Sequence, residues 1–358
     1  MVVNAALAFF PVVLFLGVLV LMDSFKLARP SAIASALAWG VIAAFLGDAV
    51  YDVLAPLLPL SPKGYSQFIA PAVEESVKAA FIAYLLLRRR IGFPVDAAQL
   101  GFAVGTGFAV VENYQYLRAL PDAAVVLWAV RGLGTAMLHG AATAVFAMLS
   151  QTASERHREK YVLVFLPAWL AAVAIHAAFN LLPFSPVAMT ATLLIALPLI
   201  VLWVFQRSER ATREWVGAGL DLDLMLHDTF ASDALAHTRF GTFLQELRQR
   251  FSGPVVADML CLLRVELELS IQAKAVLIAR DAGVAMPAHP DARAAVEEIR
   301  YLRASIGRTG LLALAPVHVT SHRDDWHRYL LTGSDPKENR LLRLFSIIRS
   351  AHPSRRDD

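Results

Sequence analysis

From Ile69 to Arg90 the chain reads IAPAVEESVKAAFIAYLLLRRR. Over Ile69–Leu87 it is apolar enough to cross a bilayer, which takes about 20 mostly apolar residues. Yet it carries Glu74, Glu75 and Lys78, and it stops at three arginines. The arginines mark a cytoplasmic end by the positive-inside rule. Ionisable groups inside a span are expensive, and each one points to function by default. Glu75 and Lys78 are three apart and Glu74 and Lys78 four apart, so either carboxylate can meet the ammonium on one helical face. A structural ion pair needs one acid. The second is left over.

The surrounding 206 residues share this apolar character. The 358-residue chain is 57% hydrophobic and 18% charged, with a mean hydropathy of +0.53. Soluble domains carry about 25% charge and 45–50% apolar residues. Residues 1–206 hold 12 Lys/Arg and 10 Asp/Glu, whereas 207–358 hold 21 and 20. The expected fold is therefore all-α: a polytopic membrane helix bundle over 1–206, then a soluble, mainly helical domain over 207–358. About 150 residues is a typical size for one fold. Seven spans are expected: Ala5–Met22, Ala32–Leu54, Ile69–Leu87, Ala97–Leu117, a stretch within Ala123–Ser150, Tyr161–Leu182 and Val187–Phe205. The first has no basic stretch before it and no small-residue cleavage site, so it reads as a retained helix.

Connections with Lys26 and Arg29, then Arg88–Arg90, then Arg156, Arg158 and Lys160, then Arg207, Arg210 and Arg213 alternate with poor ones. That alternation predicts a cell-membrane protein with its N-terminus outside and residues 207–358 in the cytoplasm. The net charge of +3 comes with no clustered basic face, which excludes a nucleic-acid footprint. Cys261 is the only cysteine, which excludes an intramolecular disulfide and a cysteine-held metal. In the tail, helices are expected over Ser232–Ser252, about Pro254–Ala282 with Gly283 as C-cap, roughly Asp291–Ile306, and from Pro336 to about Ser350. Val317–Thr320 is a short strand possibility. The helix after Pro336 mixes Arg340, Arg343 and Arg349 with Leu341, Leu344 and Phe345, and suits either the inner leaflet or the domain's own core.

Further polar groups recur in the spans. "FAVVEN" carries Phe108, Glu112 and Asn113, "MLHG" carries His139, and "HAAFN" carries His176 and Asn180. A single intramembrane His is more often a packing residue than a ligand. Three acids and two histidines on four consecutive spans are not explained that way. Depth gives an independent check at 1.5 Å rise per residue. Glu74 and Glu75 lie roughly 8 Å below the outer end of their span. Glu112 and His176 fall in the outer half of a roughly 30 Å core. His139 joins them, roughly 11 Å deep, if Arg131 marks the interface and the span is Gly132–Ser150. Asp48 and Asp52 either line an entry route or snorkel. Gly101, Gly105, Gly107, Gly132, Gly134 and Gly140 read as close helix packing.

These motifs resemble the PrsW-type intramembrane proteases, distant relatives of the CAAX prenyl endopeptidases. The resemblance covers roughly residues 30–205 and rests on "EESVK", "FAVVEN", His139 and "HAAFN" in that order. Glu112 stands where the CAAX pattern has His. The resemblance implies a protease that cuts membrane-anchored, anti-sigma-factor-like single-span proteins on their outer side. It says nothing about the tail.

The chemistry expected is metal-assisted peptide hydrolysis. Glu112, His139 and His176 would hold a divalent ion, zinc by its liking for N and O donors. Glu74 or Glu75 would move the water proton, Lys78 would keep the second glutamate ionised, and Asn113 and Asn180 would steady the oxyanion or a ligand. A metal-free variant uses the glutamates as an acid/base pair on free water. A transporter would need ionisable groups at several depths, and the cytoplasmic halves of the spans hold almost none. A signalling receptor suits the architecture but leaves the paired glutamates unexplained. The tail is expected to modulate the protease without supplying catalytic groups. The sequence carries no signal for oligomeric state.

Overall fold

A computed structural model of the chain describes residues 2–58, 60–156, 162–181, 185–232, 235, 237–284, 286, 291–315 and 322–332. These form helices and turns, with no strand among the described residues. The expected strand at Val317–Thr320, the helix after Pro336, and Arg158 and Lys160 lie outside them. The chain divides into two compact units, Met1–Trp215 and Val216–Asp358.

The first unit is built from α1 (Val2–Met22), α2 (Pro30–Leu54), a single turn α3 (Pro62–Gly64), α4 (Ala70–Leu87) and α5 (Pro94–Ala119). Then come α6 (Val125–Val130), α7 (Ala136–Arg156), α8 (Leu166–Leu181) and the first part of α9 (Pro186–Ala231). Two five-residue π-helical turns interrupt the order, Tyr65–Ile69 before α4 and Arg131–Thr135 before α7. Prolines open α2, α5 and α9, where the missing N–H costs nothing and the fixed φ suits a helix. Asp96 caps α5 by accepting from the backbone N–H of Gly92 and Phe93 at 2.9 and 2.7 Å.

Among the described residues, six helices are long and apolar enough to cross a membrane: Val2–Met22, Pro30–Leu54, Pro94–Ala119, Val125–Glu155, Leu163–Leu181 and Pro186–Phe230. The remaining expected span is α4, whose 18 residues include Glu74, Glu75 and Lys78. At the centre stands α5, buried along nearly its whole length from Val95 to Ala109. Its glycines let the neighbouring backbones touch it. A Cβ on Gly105 would lie 2.2 Å from the His139 carbonyl oxygen on α7, and one on Gly107 2.1 Å from the Leu37 carbonyl oxygen on α2. On α2, a Cβ on Gly40 would meet the Val104 carbonyl oxygen at 2.1 Å. The glycines therefore pack helices, and they set the distance between α5 and the helix that carries His139.

The second unit holds the end of α9, α10 (Arg239–Leu247), α11 (Gly253–Asp281), α12 (Ala292–Leu314) and α13 (His322–Thr332). Met259, Leu262 and Leu277 of α11, Ile299 and Leu314 of α12, and Trp326 of α13 are buried. Lys274 reaches Asp223 at 2.5 Å. Gly283 takes φ 72° after α11, as its expected capping role requires. Gly307, at φ 70° and ψ 173°, breaks the helical course of α12 one residue past the expected end at Ile306. The expected Ser232–Ser252 helix is corrected. α9 runs on to Ala231, and the next helix starts only at Arg239, because Thr238 is extended and its Oγ1 accepts from Gly241 N at 3.0 Å.

Gly105→Ala should lower the melting temperature, since overpacking costs about 1–3 kcal/mol and occasionally more. It should also disturb the site, because the clash falls on the His139 backbone. Gly17→Ala is the control: nothing lies within 4 Å of a Cβ there. Thermal unfolding in detergent measures both. Equal stability of the two variants would refute the packing role of Gly105.

Candidate active site

Four helices and one π-turn bring the polar groups of the spans together. From α4 come Glu74, Glu75 and Lys78, from α5 Glu112 and Asn113, from α7 His139 and Thr143, and from α8 His176. Lys78 is fully buried, and its Nζ donates to Glu75 Oε1 at 2.6 Å and to His139 Nδ1 at 3.0 Å. It also stands 4.4 Å from the Phe108 ring centroid. Glu75 is 1% exposed. Its Oε1 lies 2.9 Å from His176 Nδ1, and its Oε2 accepts from Thr143 Oγ1 at 3.4 Å.

The other carboxylate on α5 completes the network. Glu112 Oε2 lies 2.9 Å from His139 Nε2, and Glu112 Oε1 lies 3.2 Å from Arg131 Nη2. Arg131 Nε donates to Asn113 Oδ1 at 2.9 Å, and the guanidinium carbon sits 3.5 Å over the Tyr116 ring. Asn113 Nδ2 donates to the Ala8 carbonyl at 2.7 Å. Because an ammonium can only donate, His139 accepts at Nδ1 and gives its Nε2 proton to Glu112. A neutral His176 that donates from Nδ1 to Glu75 presents a free lone pair at Nε2.

Glu74 differs from its neighbours. Its Oε2 is buried and has no hydrogen-bond partner. It stands 3.9 Å from each of three nitrogens: Lys78 Nζ, His139 Nδ1 and His176 Nε2. That is too long for hydrogen bonds. It is shorter than two coordination bonds of about 2.0–2.2 Å laid end to end. One ligand atom each from Glu74, His139 and His176 lies within 4.8 Å of the others, a set that could hold a metal ion. One oxygen and two imidazole nitrogens suit a divalent ion such as zinc. Glu112 is not in this set; it grips the far nitrogen of His139. The expected ligand trio thus has its two histidines together, with Glu74 rather than Glu112 beside them.

Arg131 joins the cluster, which the sequence reading did not foresee: it is buried beside Glu112, whose carboxylate it compensates. The signal available was arithmetic: the polar set on the third to sixth spans holds three acids against one lysine. Asn180 uses its amide on the Ser66 carbonyl at 3.0 Å, in the turn before α4. Beside the cluster opens a cleft lined by Asp48, Tyr51, Tyr65, Glu74, Glu112 and Gln115 among others. Asp48 accepts from Gln115 Nε2 at 2.6 Å and lines this cleft.

A bundle of apolar helices with buried carboxylates, imidazoles and a lysine opening on a cleft has the equipment for hydrolysis inside a bilayer. The model of one family, the PrsW family intramembrane metalloproteases, matches residues 28–205. That segment, which holds every residue of the cluster, belongs to this family. The chain is accordingly a multi-pass membrane protein with an intramembrane protease domain, and it acts on membrane proteins in a lipid bilayer. The family and the Glu–His–His set together support a divalent metal. Comparison with curated proteins and with solved structures returns no match.

Arg131→Ala should cost on the order of 3 kcal/mol, because it strands the mostly buried Glu112 carboxylate. Arg131→Lys keeps the charge but loses the fork that reaches both Glu112 and Asn113. It should fall between parent and Ala. Pairing Arg131→Ala with Glu112→Gln should recover part of the loss, as a double-mutant cycle on thermal unfolding would show. A stable Arg131→Ala single variant would mean that the ion pair is dispensable.

Proposed function

We propose that the chain hydrolyses a peptide bond of a single-span, anti-sigma-factor-like membrane protein near the extracytoplasmic face. Glu74, His139 and His176 would hold a divalent ion, zinc by the donor set. The observation that carries this reading is the buried Glu74 Oε2, unbonded and equidistant from two imidazole nitrogens. When bound, such an ion polarises the scissile carbonyl and brings the pKa of water to about 7. The remaining residues position and neutralise. Glu75 holds His176, and Glu112 holds His139, each by the nitrogen facing away from Glu74. Carboxylates on the far nitrogen fix the tautomer and the ring orientation of ligating histidines. Lys78 balances Glu75, and Arg131 balances Glu112. Glu112 is a quarter exposed and lines the cleft, which suits it to take the water proton and return it to the leaving amine.

One contact favours a second reading. Lys78 Nζ already uses the His139 Nδ1 lone pair at 3.0 Å. In a metal-free version Glu74, whose Oε2 is unbonded, would take the proton from water directly. The alternating basic connections support an outside N-terminus, with residues 207–358 as a cytoplasmic domain that modulates cleavage.

Metal analysis of purified variants separates the readings. The parent should carry one divalent ion per chain, and Glu74→Gln, His139→Ala and His176→Ala should lose it. Glu75→Gln and Glu112→Gln should keep a site weakened about 10–100-fold, the usual cost of an outer partner. Loss in Glu112→Gln together with retention in Glu74→Gln would restore Glu112 as the ligand. An active parent that is free of metal and indifferent to chelators would establish the glutamate version.

A further inference from the structure

Tyr65 opens the π-helical turn Tyr65–Ile69 that leads into α4. Such turns are rare and recur at functional sites, where the extra residue re-aims a side chain. The Tyr65 ring is 6% exposed and packs edge-on against Tyr51, with centroids 4.7 Å apart at 85°. Its hydroxyl is buried and has no hydrogen-bond partner. A buried, unsatisfied hydroxyl costs about 1–3 kcal/mol, so it calls for a reason. Tyr65 lines the same cleft as Glu74 and Glu112. Burial holds the phenol above its ordinary pKa, so the group stays protonated and is a donor at neutral pH.

The amides first suited to stabilising an oxyanion each have one N–H committed to backbone, which fixes where they point. Asn113 Nδ2 serves the Ala8 carbonyl. Asn180 Nδ2 serves the Ser66 carbonyl, one residue after Tyr65, and so fastens the very turn that carries the phenol. Each amide keeps a second N–H, but of these three side chains only Tyr65 lines the cleft, and its hydroxyl has no partner at all.

We infer that the Tyr65 hydroxyl is the oxyanion donor of the peptidase reaction, with Asn180 as the positioning residue that holds its turn. The inference rests on the hydrolytic reading above. As the water oxygen bonds to the scissile carbonyl carbon, the C=O π pair moves onto oxygen, and Tyr65 donates a hydrogen bond to it. When that pair returns, the C–N bond breaks and the leaving nitrogen takes the proton the water gave up. Tyr65 keeps its own proton throughout.

The test is Tyr65→Phe, which removes the hydroxyl and keeps the ring against Tyr51. A synthetic single-span peptide in detergent gives kcat and KM. The same peptide with a phosphinate at the scissile position gives affinity for a tetrahedral anion. We expect kcat to fall about 10²–10³-fold, the usual loss of one oxyanion donor. KM and metal content should stay at the parent values, melting temperature should hold or rise because an unsatisfied hydroxyl is removed, and phosphinate affinity should fall by a factor like that of kcat. Parent-like kcat and phosphinate affinity in Tyr65→Phe would overturn the inference and leave the protease reading intact. A parent that cleaves nothing would overturn the protease reading. Equal phosphinate binding by parent and variant would then dispose of the Tyr65 role as well. A fall in melting temperature matching the loss of kcat would show that the hydroxyl is structural.

Discussion

Charge compensation in an apolar interior is the constraint on which the rest of this structure depends. Three carboxylates sit where lipid or helix packing would otherwise exclude water, and at low dielectric an unpaired charge is costly. Lys78 answers Glu75 and Arg131 answers Glu112. His139 bridges these pairs, meeting Lys78 through Nδ1 and Glu112 through Nε2, while His176 is held by Glu75. Glu74 alone lacks a short contact at Oε2, so the cluster is one positive charge short where the imidazoles meet. That deficit is local, and it is what makes the cluster chemical rather than merely cohesive.

Holding such a network requires backbones that approach closely and do not shift. The contact of Gly105 with the His139 carbonyl and of Gly107 with that of Leu37 removes the side-chain layer between α5 and its neighbours. The polar side chains then span short gaps in fixed orientations. The two π-turns act at the edges of this rigid block. One places Arg131 under Glu112 and Asn113, and the other carries Tyr65 into α4. Regular α-helical register through either segment would rotate those side chains away.

The helical fold was legible because apolar runs of membrane length are nearly unambiguous, and the family was legible because the motifs keep their order. The cluster residues were legible because charge inside a span is rare. Their partnerships were not. Nothing in the spacing of "FAVVEN" tells which nitrogen of which histidine Glu112 will meet, since that depends on the rotation of α5 against α7. The pairing of Arg131 with Glu112 was hidden for a related reason, since it depends on how the π-turn before α7 packs against α5. In the tail, Thr238 was a capping signal hidden in a polar stretch, so the helix start was placed too early. Tyr65 left no trace in the sequence, because a π-turn has no reliable signature there.

The helix that supplies three members of the cluster is also the one least suited to lipid. Each central charge opposes insertion by about 2.5–3.5 kcal/mol on the translocon scale. Glu74, Glu75 and Lys78 together offset much of what the leucines and alanines of α4 gain. Its neighbours make up the difference. Trp39 of α2 donates its indole N–H to the Val77 carbonyl, and Trp169 of α8 donates to Ser76 Oγ, both at 3.0 Å. Lys78 and Glu75 neutralise each other within one turn before any other helix is needed. α4 is therefore stable in the bilayer as part of an assembled bundle, with Glu75 and Lys78 already paired. The group that remains costly after that pairing is Glu74, and it is the one that faces the cleft.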